Sequence, residues 1–376
     1  MPPFRMEHTD VSSGAHQRID RILLAAVLIL MAVGLVMVMS ASGVAAERRF
    51  GDALYFFKKQ ALFSLLGLGV IYGAWCIPRR FFYKGVYVWL GLALAALGLT
   101  LTPLGVTVGG SSRWLELGPI HLQPLEAAKV ALVLYLAYFF SHKQEMVKTF
   151  SVGFLPPLVV TTSMACLLAL QPDFGGAVMV ALLFFLLCLV GGTRLSYLFS
   201  SMLLCGAVGA AMILNSPYRL KRWLAFLHPF QNAQDAGYQV VQSLYGLGAG
   251  HIAGVGLGAG KQKLFFLPEA HTDFILAVLG EEIGFLGLSL VFLCLGLILL
   301  RCFVIAGRQH DLQDRFTALG LTLIVAVGAL LNLAVVLGTV PPKGLPMPFI
   351  SYGGSNLLAM CFCVGLILNI GDRRRV

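Results

Sequence analysis

Polar residues are scarce over long stretches of this 376-residue chain, and apolar runs long enough to matter recur ten times. A bilayer core of ~30 Å is crossed by about 20 apolar residues in a helix rising 1.5 Å per residue. The runs at 20–42, 55–76, 84–103, 122–141, 152–170, 175–192, 196–214, 282–304, 316–338 and 351–370 therefore predict ten transmembrane helices. Arg18 and Arg21 precede the first run and Ser40-Ala41-Ser42 resembles a cleavage site. Its apolar core exceeds the ~7–15 residues of a signal sequence and nine more spans follow, so a retained helix is expected. Between the seventh and eighth runs lies a loop, 215–281, far longer than a connector needs, and loops of that size usually carry function. Aromatic and basic residues open it (Tyr218, Arg219, Lys221, Arg222, Trp223), a glycine-rich stretch follows, and LPEAHTDF closes it. Short helices at the membrane interface are expected there, with part of the loop tucked back into the protein.

Composition agrees with this pattern. Hydrophobic residues make up 58% and charged residues 12%, against about 25% charged in soluble proteins. With a mean hydropathy of +0.86, an ordinary cytosolic enzyme, a disordered chain and a disulfide-rich secreted domain are excluded. The net charge of +10 mainly sets orientation. With the N-terminus inside, the inner segments hold fifteen Lys and Arg and the short outer loops six (Arg48, Arg49, Lys58, Lys59, Arg113, Lys343), as the positive-inside rule requires. The expectation is an all-α polytopic integral membrane protein with ten spans, both termini cytoplasmic and one large extracytoplasmic loop before helix eight. A cytoplasmic tail (1–19) and a short basic tail (371–376) flank a single domain at 20–370. Nothing in the charge pattern points to nucleic acid. The eight cysteines show no zinc spacing or disulfide framework and read as small packing residues.

Few residues remain for chemistry. The glycine run 246–260 fails as a Walker A loop, since Val255 stands where Gly is needed and Gln262 follows Lys261. It reads as a close-packed turn with positive φ, with Lys261 and Lys263 keeping a phosphate-binding alternative open. A charge at the bilayer centre costs about 2.5–3.5 kcal/mol, so charged groups in spans face a polar interior or a partner. Glu126 and Lys129, three apart on span four, can pair, either as a packing device or as the wall of a polar cavity. Asp173 suits the N-cap of span six and lies at a depth similar to Lys129, and orienting that lysine is the alternative reading. Glu281 and Glu282 read as first-turn acids of span eight. Glu269, His271 and Asp273 alternate just before it, a spacing open to catalysis, to a divalent ion, or to simple capping.

At LPEAHTDFILAVLGEEIGFLG (267–287) the chain resembles the SEDS family (shape, elongation, division and sporulation). SSRWLELG (111–118), QPLEAAK (123–129), QPDFG (171–175), GYQVVQSLYGLGAG (237–250) and PPKGLPMPFISYGGSN (341–356) follow in the family's order. The resemblance covers about 20–370, and Lys343 and Ala270 are more similar to the division-type than the elongation-type member. It implies a peptidoglycan glycosyltransferase that polymerises lipid II on the outer face of the bacterial cytoplasmic membrane, at the division septum, with inversion at C1 and release of undecaprenyl pyrophosphate. It implies that Asp273, in HTDF, is the essential aspartate, and that Glu126, Lys129 and Asp173 belong to a polar cavity. Asp273 would be the base. Lys129, Arg113, Lys343 and the loop residues Lys261, Lys263, Glu269 and His271 would meet substrate, whose pyrophosphate a Mg²⁺ or Mn²⁺ ion would help to neutralise. No nucleotide or organic cofactor is implied. The expected partners are lipid II, the nascent glycan strand, a class B penicillin-binding protein and other divisome membrane proteins. Two departures stand out: Leu125 where QPSE is usual, and Ser112 in place of the first of two arginines before Trp114. A lipid II flippase and a non-catalytic scaffold are the alternative readings.

Overall fold

The computed structural model describes residues 19–108, 111–118, 120–235 and 237–372. The two predicted tails, including Arg5, Arg18 and Arg373 to Arg375, lie almost wholly outside them. Thirteen helices follow in order among the described residues: α1 (Arg21–Phe50), α2 (Tyr55–Cys76), α3 (Arg79–Lys84), α4 (Val86–Leu99), α5 (Pro124–His142), α6 (Leu155–Leu170), α7 (Phe174–Val190), α8 (Leu195–Leu214), α9 (Pro217–Leu227), α10 (Tyr238–Ala249), α11 (Ile275–Gly307), α12 (Leu312–Val336) and α13 (Gly354–Gly371). Every predicted span falls on one of them. Seven (α1, α5, α6 with its preceding turn, α8, α11, α12 and α13) are long and apolar enough to cross a membrane. Of the other three, α2 carries Lys58 and Lys59 near its start, while α4 and α7 have only 14 and 17 residues.

One element escaped the hydrophobic pattern. Between α4 and α5 the chain forms a small antiparallel sheet, β1 (Gly105–Val108), β2 (Ser111–Leu117) and β3 (Ile120–Leu122), in the order β1-β2-β3. It is the only β-structure among the described residues.

The core centres on α5 and α12. From Ala128 to Ala137 every residue of α5 is buried, and α12 packs along it. By contrast α8 is exposed along most of its length, with Phe199, Met202, Leu203, Leu204 and Val208 open to the surroundings, as suits a lipid-facing helix. Without water in the hydrocarbon, backbone groups freed at helix ends need internal partners. Asn369 of α13 supplies them at the end of α2, donating to the carbonyls of Ala74, Trp75 and Ile77 at 3.2, 2.7 and 2.9 Å.

The same requirement governs α11, which begins at Ile275, seven residues before the predicted span. It breaks at Gly284, whose φ of 67° and ψ of −168° are not helical. The glycine-rich segment folds against the break: Phe285 and Leu286 N–H donate to His251 and Ile252 carbonyls, while Val255 and Gly256 N–H donate to Glu281 and Glu282 carbonyls, all at 3.0 Å. Gly254, Gly256 and Gly258 have positive φ, and a Cβ at Gly254 would lie 2.2 Å from the Glu282 carbonyl oxygen. The run is thus a close-packed turn.

This overturns the reading of Glu281 and Glu282 as first-turn acids. Both are buried well inside α11. Glu281 accepts from the N–H groups of Lys261 and Gln262 at 2.8 and 3.1 Å. Glu282 pairs with the Lys263 ammonium at 2.7 Å and accepts from the Ser40 hydroxyl of α1 at 2.8 Å and from Gly258 N–H at 3.0 Å. Removing one partner of a buried ion pair costs about 3–5 kcal/mol, whereas replacing both by apolar groups is often neutral or better. Glu282→Ala should therefore lower the thermal midpoint in detergent sharply, and Glu282→Leu with Lys263→Met should recover most of the loss.

Candidate functional site

The sheet, the α7 N-terminus, the turn before α11 and the segment after α12 meet at one place. Strand β2 presents Arg113, whose Nε donates to Ser111 Oγ at 2.7 Å and whose Nη2 donates to the Pro172 carbonyl at 3.1 Å. Its Nε also lies 3.6 Å from Asp173 Oδ1. Ser111 in turn donates to the Gln171 carbonyl at 2.5 Å, so sheet and helix are locked together. Asp173 is the N-cap of α7, accepting from Gly176 N–H at 3.0 Å. The capping role read from sequence holds, but its ionic partner is Arg113 and not Lys129.

Asp273 sits just before α11, within reach of the same arginine. A Cβ placed on Gly344 would lie 3.3 Å from Asp273 Oδ2 and 3.6 Å from Arg113 Nη1. The carboxylate and the guanidinium therefore both adjoin this glycine, and a side chain there would crowd the carboxylate first. Lys343, the preceding residue, runs its stem past Gly175, beside Asp173. These four groups, Arg113, Asp173, Asp273 and Lys343, form the cluster. Arg113 keeps 29% of its side chain exposed against 6% for Asp173, so of that pair it is the one open to a ligand.

The electrostatics follow from burial. Desolvation, and then the nearby Glu269 charge, push the Asp273 carboxyl up to about 7, with Arg113 opposing. Burial holds the Lys343 ammonium below its ordinary value, with Asp173 opposing, and burial likewise lowers His271 against Glu269. His271 turns away from the cluster: its ring packs 4.6 Å from Phe56 and 5.7 Å from Tyr352, centroid to centroid. Exposed Glu269 organises the turn, accepting the Thr272 hydroxyl at 2.7 Å and, through its carbonyl, the N–H groups of Thr272 and Phe274.

Not every expected ligand residue arrives. Lys263 is held by Glu282 and the Gly258 carbonyl (2.7 Å each), because a buried ammonium needs compensation on the spot. The Lys261 side chain is exposed beside it. Both lie with the glycine turn, and nothing joins them to the Arg113–Asp273 cluster. Glu126 and Lys129 pair at 2.8 Å on α5, and Asn356 of α13 donates to Glu126 at 3.1 Å. That pair is buried and neutralised within itself, so it fastens α5 to α13. Among the described residues no three His, Cys, Asp or Glu side chains converge as a metal cage, and Glu269, His271 and Asp273 point apart in role. Sequence reasoning overlooked Gly344, Ser111 and Asn356. They stand inside or beside quoted motifs, but small or neutral residues carry no charge signal.

Comparison with known proteins places the arrangement. The model of the FtsW, RodA and SpoVE family, described as cell cycle proteins, matches residues 20–376. A relative named probable peptidoglycan glycosyltransferase FtsW, from Trichlorobacter lovleyi, is 43% identical over 93% of this chain and 92% of its own. Stage V sporulation protein E of Bacillus subtilis is 38% identical over 95% and 98%. Among solved structures, a chain from work titled structural coordination of polymerization and crosslinking by a peptidoglycan synthase complex superposes with a TM-score of 0.76. It is 28% identical and covers 96% of this chain and 99% of its own. The rod shape determining protein RodA of Thermus thermophilus gives 0.69 at 27% identity, over 95% and 98%.

A carboxyl raised by burial is ionised at the expense of folding. Its folded value lies above the ordinary 3.8, so stability is lost as pH rises between that value and about 7. Asp273→Asn should therefore raise the thermal midpoint at pH 8 and leave it nearly unchanged at pH 4, a comparison that differential scanning fluorimetry in detergent can make.

Proposed function

This chain belongs to the FtsW, RodA and SpoVE family of cell cycle proteins, and from that premise we propose how its site performs glycosyl transfer. The protein is a multi-pass membrane peptidoglycan glycosyltransferase, and the reading that its substrate is lipid II rests on that activity. The observation that carries the mechanism is that the Asp273 carboxyl and Arg113 both adjoin Gly344.

In this reading Asp273, with an acid constant near 7, takes the proton from the 4-hydroxyl of the acceptor sugar. The hydroxyl oxygen bonds to C1 of the donor from the face opposite the pyrophosphate. The C1–O bond to the leaving group breaks with inversion, and its electron pair leaves with undecaprenyl pyrophosphate. Arg113 and Lys343 flank the place where that negative charge develops and stabilise it there; Asp273 then returns its proton to water. Asp173 holds Arg113 on the side away from Asp273, so the guanidinium is oriented before substrate arrives. With no cage of protein ligands among the described residues, no step is assigned to a metal; a Mg²⁺ or Mn²⁺ ion enters as a companion of the pyrophosphate.

The setting follows from the same reading. Ten crossings with both termini in the cytoplasm are supported by the seven helices long and apolar enough to cross, by α2, α4 and α7 on the three remaining apolar runs, and by the excess of basic residues on the inner segments. That arrangement puts the cluster on the outer face of the bacterial cytoplasmic membrane. The amphipathic helix α9, with Trp223, Leu224 and Leu227 exposed, lies along that surface. A class B penicillin-binding protein and other divisome membrane proteins are the proposed partners, in keeping with a structural neighbour solved within a peptidoglycan synthase complex. The similarity to relatives named FtsW supports action at the septum.

Purified chain with its transpeptidase partner should polymerise lipid II at a rate that rises with pH through about 7. Asp273→Ala should abolish it and Arg113→Ala should reduce it about 10²–10³-fold. Wild-type rates in Asp273→Ala would remove the base assignment. The same reactions with EDTA test the companion ion. Lipid II crossing liposome membranes without being consumed would favour the flippase.

A further inference from the structure

The turn carrying Asp273 is held from one side at three consecutive carbonyls. Tyr352 N–H donates to the His271 carbonyl at 3.0 Å. The Ser351 hydroxyl donates to Thr272 at 2.5 Å, and Asn332 Nδ2 donates to Asp273 at 2.8 Å. The last contact differs in kind, because Asn332 belongs to α12 and is fully buried. The same nitrogen also donates to the Leu345 carbonyl at 2.7 Å. One amide group thus joins the segment that bears Asp273 to the segment that bears Lys343 and Gly344.

We propose that Asn332 is a positioning residue for glycosyl transfer, a cross-brace that sets the Asp273 carboxylate against Arg113. The inference rests on the reading of Asp273 as the base. Its logic is geometric. Gly344 adjoins both the Asp273 carboxylate and Arg113, so its position relative to Asp273 bears on the spacing of acid and cation. Leu345 is the next residue, and its carbonyl shares a donor with that of Asp273. If either hydrogen bond is released, among the described residues only the Ser351 and Tyr352 contacts still tie the two segments, and they act at the neighbouring carbonyls, not at Asp273 itself.

Two chemical details favour this role over packing. Converging carbonyls require two N–H donors on one short side chain, and among neutral residues of this size only Asn offers them. The Asn332 Oδ1 has no hydrogen-bond partner among the described residues although it is buried. A buried acceptor without a partner works against stability, so what the amide contributes here is its two donated hydrogen bonds and not its packing. The charged groups that face Asp273 are Glu269 from its own turn and Arg113 from β2, while Lys343, from the segment after α12, lies beside Asp173.

The test uses the full chain with its transpeptidase partner, and compares Asn332→Leu, Asn332→Ser and Asp273→Asn in lipid II polymerisation. Asn332→Leu keeps the branched shape and the number of side-chain heavy atoms and removes both donors, and Asn332→Ser keeps one. Asn332→Leu should fold with a lowered thermal midpoint, because two carbonyls lose their donor, retain KM, and lose kcat about 10–100-fold, as expected for a reacting group displaced by an ångström or less. The acid limb of log kcat against pH should move to lower pH as the loosened carboxyl gains water. Asn332→Ser should fall between Leu and wild type, and it supplies the answer if the Leu variant does not fold. Wild-type kcat in a folded variant, or a loss of kcat with the acid limb unmoved, would overturn the proposal. If Asp273→Asn retained activity, the base reading itself would fail; an inactive Asp273→Asn beside a fully active Asn332→Leu would remove only the cross-brace.

Discussion

Inside hydrocarbon, a polar group has no water to turn to, and the rest of this molecule is arranged around that constraint. Each buried charge in the helical region is matched where it stands: Lys129 by Glu126, Lys263 by Glu282, Arg79 by Asp314 at 3.1 Å. Where a helix breaks, as α11 does at Gly284, a second strand of backbone covers the exposed groups. Where one ends, as α2 does, the side-chain amide of Asn369 takes up the carbonyls. Polarity is therefore concentrated and spoken for, which leaves little available for a ligand. Where β2, α7 and the turn before α11 converge, an acid and a cation lie near each other without forming a closed pair.

That openness gives the site its chemistry. Asp173 and Asp273 lie on either side of Arg113, yet their situations differ. Asp173 is anchored by a helix N-terminus through Gly176. Asp273 has no such donor among the described residues, and has Glu269 for a neighbour. In the proposed mechanism two like side chains around one guanidinium thus become a fixed counterion and a proton acceptor. Environment makes the distinction; residue type does not.

The helices were legible because crossing a bilayer demands a long apolar run, and each such run became a helix. Motifs around HTDF and QPDFG marked Asp273 and Asp173 through family resemblance. What could not be read was polar structure that pairs with itself. Lys263 looked available beside a glycine run, and Glu282 looked like a helix-start acid; their meeting spans nineteen residues of chain and also involves Ser40. The sheet at 105–122 was hidden because short strands leave no long apolar signature. Asn332 stood within an apolar run and was passed over, since an uncharged amide has no periodicity of its own.

The order of elements along the chain has a consequence for biosynthesis. Asp273 is made before any group that clamps it, since Asn332, Ser351 and Tyr352 all come from the last hundred residues. Arg113 and Asp173, in contrast, are in place early. A chain caught during insertion, with α11 seated but α12 and α13 still absent, would hold the acid and the cation yet nothing to fix their spacing. If Asp273 is the base and Asn332 its brace, glycosyl transfer becomes possible only when insertion is complete, and a half-made enzyme in the membrane is an idle one.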